Sequence, residues 1–137
     1  MIKLNKIIGF FVFPALVFLL HVFLIFFTSV YRFFPWFDIP IHVLGGISIG
    51  CTFVLILRYI EKEISVKLGN LRFIFVVSLV ALTAVLWEFF EFSLTFFIGI
   101  SFQGNLEDTI VDLFLGLVGG TFVAFLDVFF EGTSVVK

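Results

Sequence analysis

The sequence predicts an all-α protein, a four-helix transmembrane bundle with both termini cytoplasmic, and three observations carry that prediction. First, 62% of the 137 residues are hydrophobic, only 13% are charged and the mean hydropathy is +1.29. That is far more apolar surface than one water-soluble core of this length could bury. Second, four apolar runs, about 7–27, 39–59, 73–98 and 108–130, are separated by short polar breaks, and about twenty apolar residues suffice for a helix to cross a bilayer. Third, four spans put Lys3, Lys6, Arg58, Lys62, Lys67, Arg72 and Lys137 on one side and only Arg32 on the other, which the positive-inside rule reads as cytoplasmic termini. Residues 1–137 are expected to form a single integral domain of the inner or plasma membrane.

The first run follows a short basic start, MIKLNK. No small-x-small cleavage pattern follows it in TSVYRFFPWF, so it reads as a retained span rather than a signal peptide. His21 interrupts its distal third, and Pro14, seven residues earlier on the same face, predicts a kink. The loop 28–38 carries Tyr31 and Trp36, suited to an aromatic belt at headgroup level. Asp38-Ile39-Pro40 reads as a helix start with the acid as N-cap. The second run holds His42, Gly46 and Gly50. Residues 58–72 read as a charged hairpin, with Glu63 and Lys67 spaced for a helical pair and Gly69-Asn70 as a turn. Cys51 is the only cysteine, which leaves no disulfide framework and no thiolate metal site.

The third run contains the stretch that organises the rest, Thr83 to Thr95 (TAVLWEFFEFSLT), with Glu88 and Glu91 deep in an apolar helix. An acid near the bilayer centre costs about 2.5–3.5 kcal/mol. Three residues apart, both carboxyls leave the same side of the helix and require partners. One acid holding its proton beside one ionised acid makes a donor and an acceptor side by side. The loop 99–107 leads into the fourth run, where Glu107 and Asp108 suit a helix cap and first turn, Asp112 lies one turn in, and Asp127 and Glu131 end the span.

With about 1.5 Å rise per residue, His42, Asp112, His21, Glu91 and Glu88 all fall in the outer half of the bilayer, and nothing comparable is expected in the inner half. Such residues face a bundle interior and pair with one another, so a polar funnel open to the extracytoplasmic side is predicted. Asp38, His42, Gly46 and Gly50 are spaced by four, as are Asp108, Asp112, Gly116 and Gly120, and the two series are offset by seventy positions; His21 and Glu91 share that offset. An internal parallel repeat of two spans is one reading, with the glycines as helix-packing residues.

The segments HVLGG, WEFFEF and QGNLEDTIVDLFLGLVGG resemble the successive motifs of the YjdF-like inner-membrane proteins and, more distantly, of VanZ-like proteins. The likeness covers roughly residues 38–120, and its most specific part is Gln103 to Asp112. It implies His42, Glu88, Glu91, Gln103, Asp108 and Asp112 as the family-type polar residues. The family's last loop often has an acid where Asn105 stands.

Composition narrows the function. The net charge of -2 comes with no basic tract for nucleic acid, and no nucleophile motif, phosphate loop or thiol pair is present. The expected site has Glu88, Glu91, Asp112 and His42 as catalytic candidates and Asp108, Gln103 and His21 as binding candidates. It lies in contact with the lipid bilayer and binds or modifies an envelope lipid, amphiphile or lipid-linked substrate. His42, Glu88, Glu91 and Asp112 could hold a divalent metal of the Mn, Mg or Zn class. A small proton- or ion-coupled transporter, acting as a homo-oligomer, and a structural scaffold with a polar helix lock are the competing expectations.

Overall fold

The computed structural model describes residues 3–99 and 104–134, and no strand occurs among them. The elements are α1 (Leu4–Phe10), α2 (Val12–Phe27), α3 (Val30–Phe33), a 3-10 turn (Pro35–Phe37), α4 (Asp38–Ile64), α5 (Asn70–Ser93) continued by a wider π turn (Leu94–Ile98), and α6 (Leu106–Ser134). Helices α4, α5 and α6 are each long and apolar enough to cross a membrane. α1 and α2 do so only together, as a pair bent by 40°.

That bend falls at Phe11, three residues before Pro14, rather than at the proline itself. Proline has no N–H to return to the carbonyl four residues earlier, and its ring crowds that carbonyl; here the carbonyl belongs to Phe10. Thr52 of α4 supplies the missing donor, its Oγ1 lying 2.9 Å from the Phe10 oxygen. The same hydroxyl is 2.9 Å from the Ser48 carbonyl, so one proton serves two acceptors.

α4 packs against α2, α5 and α6 and is the centre of the bundle. It runs parallel to α6, and positions seventy apart meet: Gly46 lies against Gly116, and Gly50 against Gly120. A β-carbon on Gly46 would collide with the Gly116 carbonyl, and one on Gly119 with the Val43 carbonyl. Small residues therefore set how closely these backbones approach, the usual basis of helix association in lipid.

Polarity is inverted relative to a soluble protein. The buried set includes His21, Ser48, Thr52, Arg72, Glu88, Glu91 and Asp112, whereas Phe89, Phe96, Phe114, Phe122 and Phe125 are exposed. The small apolar core is Val54, Val76, Val80 and Ala124.

Three local expectations are corrected. Asp38 is the first residue of α4 and makes no capping bond; its carboxylate turns to His42 instead. At α6 the cap is Asn105, whose Oδ1 accepts the Asp108 N–H at 3.0 Å, so Glu107 and Asp108 are first-turn acids. The charged hairpin 58–72 is mostly helix. α4 continues to Ile64 and stops where Ser65 turns left-handed, φ 55°, so Glu63 and Lys67 share no helix. Glu61 braces this connection by accepting the Leu68 N–H at 2.5 Å.

The opposite end of the bundle carries an ionic cluster of its own. Arg72, only 2% exposed, is held by Glu61, Asp127 and Glu131, and Asp127 is shared with Arg58 at 2.7 Å. This arginine end also receives Lys3, whose backbone N–H donates to the Tyr59 hydroxyl at 2.9 Å. Lys3 and Glu131, near the two ends of the described chain, thus lie at the same end of the bundle.

Candidate functional site

At the other end, four helices bring ionisable side chains together. One turn of α4 separates Asp38 from His42, which places both on one face. α6 presents Asp112 to the same face because the glycines below it let the two backbones close. The His42 Nε2 is 3.5 Å from the Asp38 Oδ1 and 3.5 Å from the Asp112 Oδ1. The three donor atoms all lie within 4.8 Å of one another.

A second group adjoins the first, with the His21 and His42 rings 6.2 Å apart. His21 Nδ1 is 2.9 Å from the Tyr31 hydroxyl, and its Nε2 is 3.7 Å from the Glu91 Oε1. The latter is too long for a hydrogen bond. Glu91 instead accepts from the Trp87 indole N–H at 2.8 Å, one turn back along α5. The helix widens into its π turn just beyond, at Leu94, a feature that often re-aims side chains at functional positions.

Tyr31 turns inward to His21 instead of joining an outer aromatic belt. Burial, with Asp38 and Glu91 nearby, holds its phenol well above the ordinary value, so the hydroxyl keeps its proton at neutral pH.

Beneath these groups lies a cavity of about 370 Å³. Its walls are Pro14, Ala15 and Phe18 of α2, Ile41, Gly45 and Ile49 of α4, and Val80, Ala84 and Trp87 of α5; His21, His42, Glu88 and Asp112 close its polar end. α2 reaches α5 mainly through rings, Phe18 on Trp87 at 5.4 Å and His21 on Trp87 at 5.6 Å. Two buried polar atoms on this lining have no partner among the described residues, His21 Nε2 and Glu88 Oε2. His21 is 5% exposed and Glu88 7%. Unpaired polar atoms at such depth cost about 1–3 kcal/mol each.

Among the sequence candidates, then, His42 and Asp112 meet directly, and His21 meets Glu91 less closely. Glu88 faces the cavity, within electrostatic reach of His42 and Asp112. Asp108 is exposed at the rim, folded over Gly104. Gln103 lies outside the described residues. The proposed metal set of His42, Glu88, Glu91 and Asp112 does not converge on one point, because Glu91 is taken by Trp87 and approaches His21; Asp38 occupies its place beside His42. Sequence reasoning missed Tyr31 and Trp87 as members. The spacing Asp38–His42 was a visible signal for Asp38, but nothing along the chain links Tyr31 to His21.

A bundle of long apolar helices that exposes phenylalanine and buries His21, Glu88, Glu91 and Asp112 is a membrane protein, in contact with the lipid bilayer through its exposed apolar faces. Residues 1–132 match the family described as "Predicted membrane protein (DUF2238)", and the chain belongs to that family. Neither a curated protein nor a solved structure matches it.

Proposed function

We propose that this protein binds an envelope lipid or similar amphiphile, with the apolar part in the cavity between α2, α4 and α5 and the polar head at His21, His42, Glu88 and Asp112. The observation that carries this reading is the cavity's chemistry: apolar walls ending in two buried, unpartnered polar atoms. A purely structural polar lock would satisfy its own members, and these are left open. A continuous ion path is disfavoured, because Val54, Val76, Val80 and Ala124 form an apolar layer between the histidine end and the arginine end. The excess of Lys and Arg at the arginine end supports a cytoplasmic placement of both termini in the plasma or inner membrane and an extracytoplasmic placement of the site. The likeness of HVLGG and WEFFEF to YjdF-like proteins agrees with such a location. The meeting of positions seventy apart supports the two-span internal repeat.

Gly45 provides the test. It lines the cavity, and a β-carbon there meets nothing within 4 Å, so Gly45→Leu fills space without displacing backbone and favours helix. Native mass spectrometry of the purified protein should show a co-purified amphiphile that falls at least about tenfold in the variant, equivalent to about 1.4 kcal/mol, with helicity unchanged. Equal retention by both proteins, or none by either, would remove the proposal.

A further inference from the structure

The geometry points to a divalent transition-metal site formed by Asp38, His42 and Asp112, with its open position facing Glu88 and the cavity. The three donors come from two parallel helices, two of them one turn apart on α4 and the third from α6. Metal–ligand legs of about 2.1 Å at a tetrahedral angle place neighbouring donors about 3.4 Å apart. The imidazole nitrogen lies 3.5 Å from each carboxylate oxygen, too far for good hydrogen bonds and close to that spacing. One imidazole with two carboxylates suits Zn²⁺ or Mn²⁺, and three protein ligands leave a position for water or substrate.

A second observation points the same way independently of the three ligands. Glu88 is 7% exposed, has an unpartnered carboxylate oxygen, lines the cavity beside His42 and Asp112, and interacts electrostatically with both. Glu88 and Asp112 are buried and Asp38 is half-buried, so three carboxylates gather around the one imidazole of His42. Burying that many carboxylates around one imidazole is costly without further positive charge. A dication would supply it, and Glu88 would reach the fourth position through a bound water.

This inference goes beyond amphiphile binding and stands without it, since metal content and lipid content are read separately on the same sample. The experiment uses full-length protein purified in detergent, stripped with chelator and then dialysed against micromolar Zn²⁺ or Mn²⁺. Elemental analysis should give one ion per chain, and Co²⁺ should produce the visible absorption of a four-coordinate centre. Asp112→Asn and His42→Asn should weaken binding at least about tenfold, on the scale at which even outer-shell losses act, while Glu88→Gln should change the Co²⁺ spectrum. Wild-type protein that retains no ion overturns the site even if a variant fails to fold, and so does full stoichiometry in both ligand variants.

Discussion

At the residue scale, Tyr31 shows how a side chain outside the long helices enters the site. Its hydroxyl shares a hydrogen bond with His21 at 2.9 Å, and burial beside Asp38 and Glu91 favours its protonated form. A folded-state value raised above the unfolded one means that this contribution is fully present below the unfolded phenol value near pH 10. It is lost progressively as pH climbs above that. Tyr31→Phe should therefore cost about 1–3 kcal/mol at pH 8, because His21 Nδ1 loses its hydrogen-bond partner, and the gap to wild type should shrink as pH rises beyond about 10. Unfolding curves recorded from pH 8 to 11 check this; a gap that stays constant or widens would show that the phenol is not the responsible group. Single residues were also where the sequence was hardest to read. His42 and Asp112 stood out because charge in an apolar run is costly, whereas Tyr31 and Trp87 looked like ordinary membrane aromatics and acquired roles only through tertiary contact.

At the scale of elements, apolar runs made the long helices visible, since length and hydropathy are local properties. Helix ends and bends were less so. The bend between α1 and α2 depends on Thr52, forty-two positions from Phe10, and no local pattern reports that partnership. Thr52→Val should leave the Phe10 carbonyl short of a donor and cost about 1–3 kcal/mol. In a Pro14→Ala background, where residue 14 regains its N–H, the same change should cost clearly less. The coupling in this double-mutant cycle, read by thermal unfolding in detergent, should reach about 0.5–3 kcal/mol; strictly additive effects would show that proline does not create the need for Thr52. α4 likewise extended into the expected hairpin because charged residues on a helix need only partners, and Glu61 finds one in Arg72.

At the scale of the molecule, two polar ends are separated by an apolar layer. The histidine end was legible as a set of costly residues at similar depth. The arginine end was not, because Arg72, Asp127 and Glu131 each lie near a span boundary, where charge is unremarkable. Their convergence on one guanidinium closes α4, α5 and α6 at that end. Arg72→Gln should leave buried carboxylates without their counter-charge and cost about 3–5 kcal/mol, a larger loss than any single change proposed at the histidine end. Resistance to unfolding by denaturing detergent measures it; a variant as stable as wild type would mean that Arg58 alone balances Asp127. Because the apolar layer insulates the two ends, metal binding should survive this substitution wherever the protein remains folded.

The meeting of His42 with Asp112, Gly46 with Gly116 and Gly50 with Gly120, with His21 drawn towards Glu91, has a consequence for assembly. In a homodimer of identical two-helix subunits, residues near the dyad confront their own copies. Glycine against glycine is tolerable there, but imidazole would oppose imidazole and acid would oppose acid. A single polypeptide is free of that restriction. It can keep the seam where self-complementarity works and place unlike groups across the same line where attraction requires them, which no pair of identical halves could do.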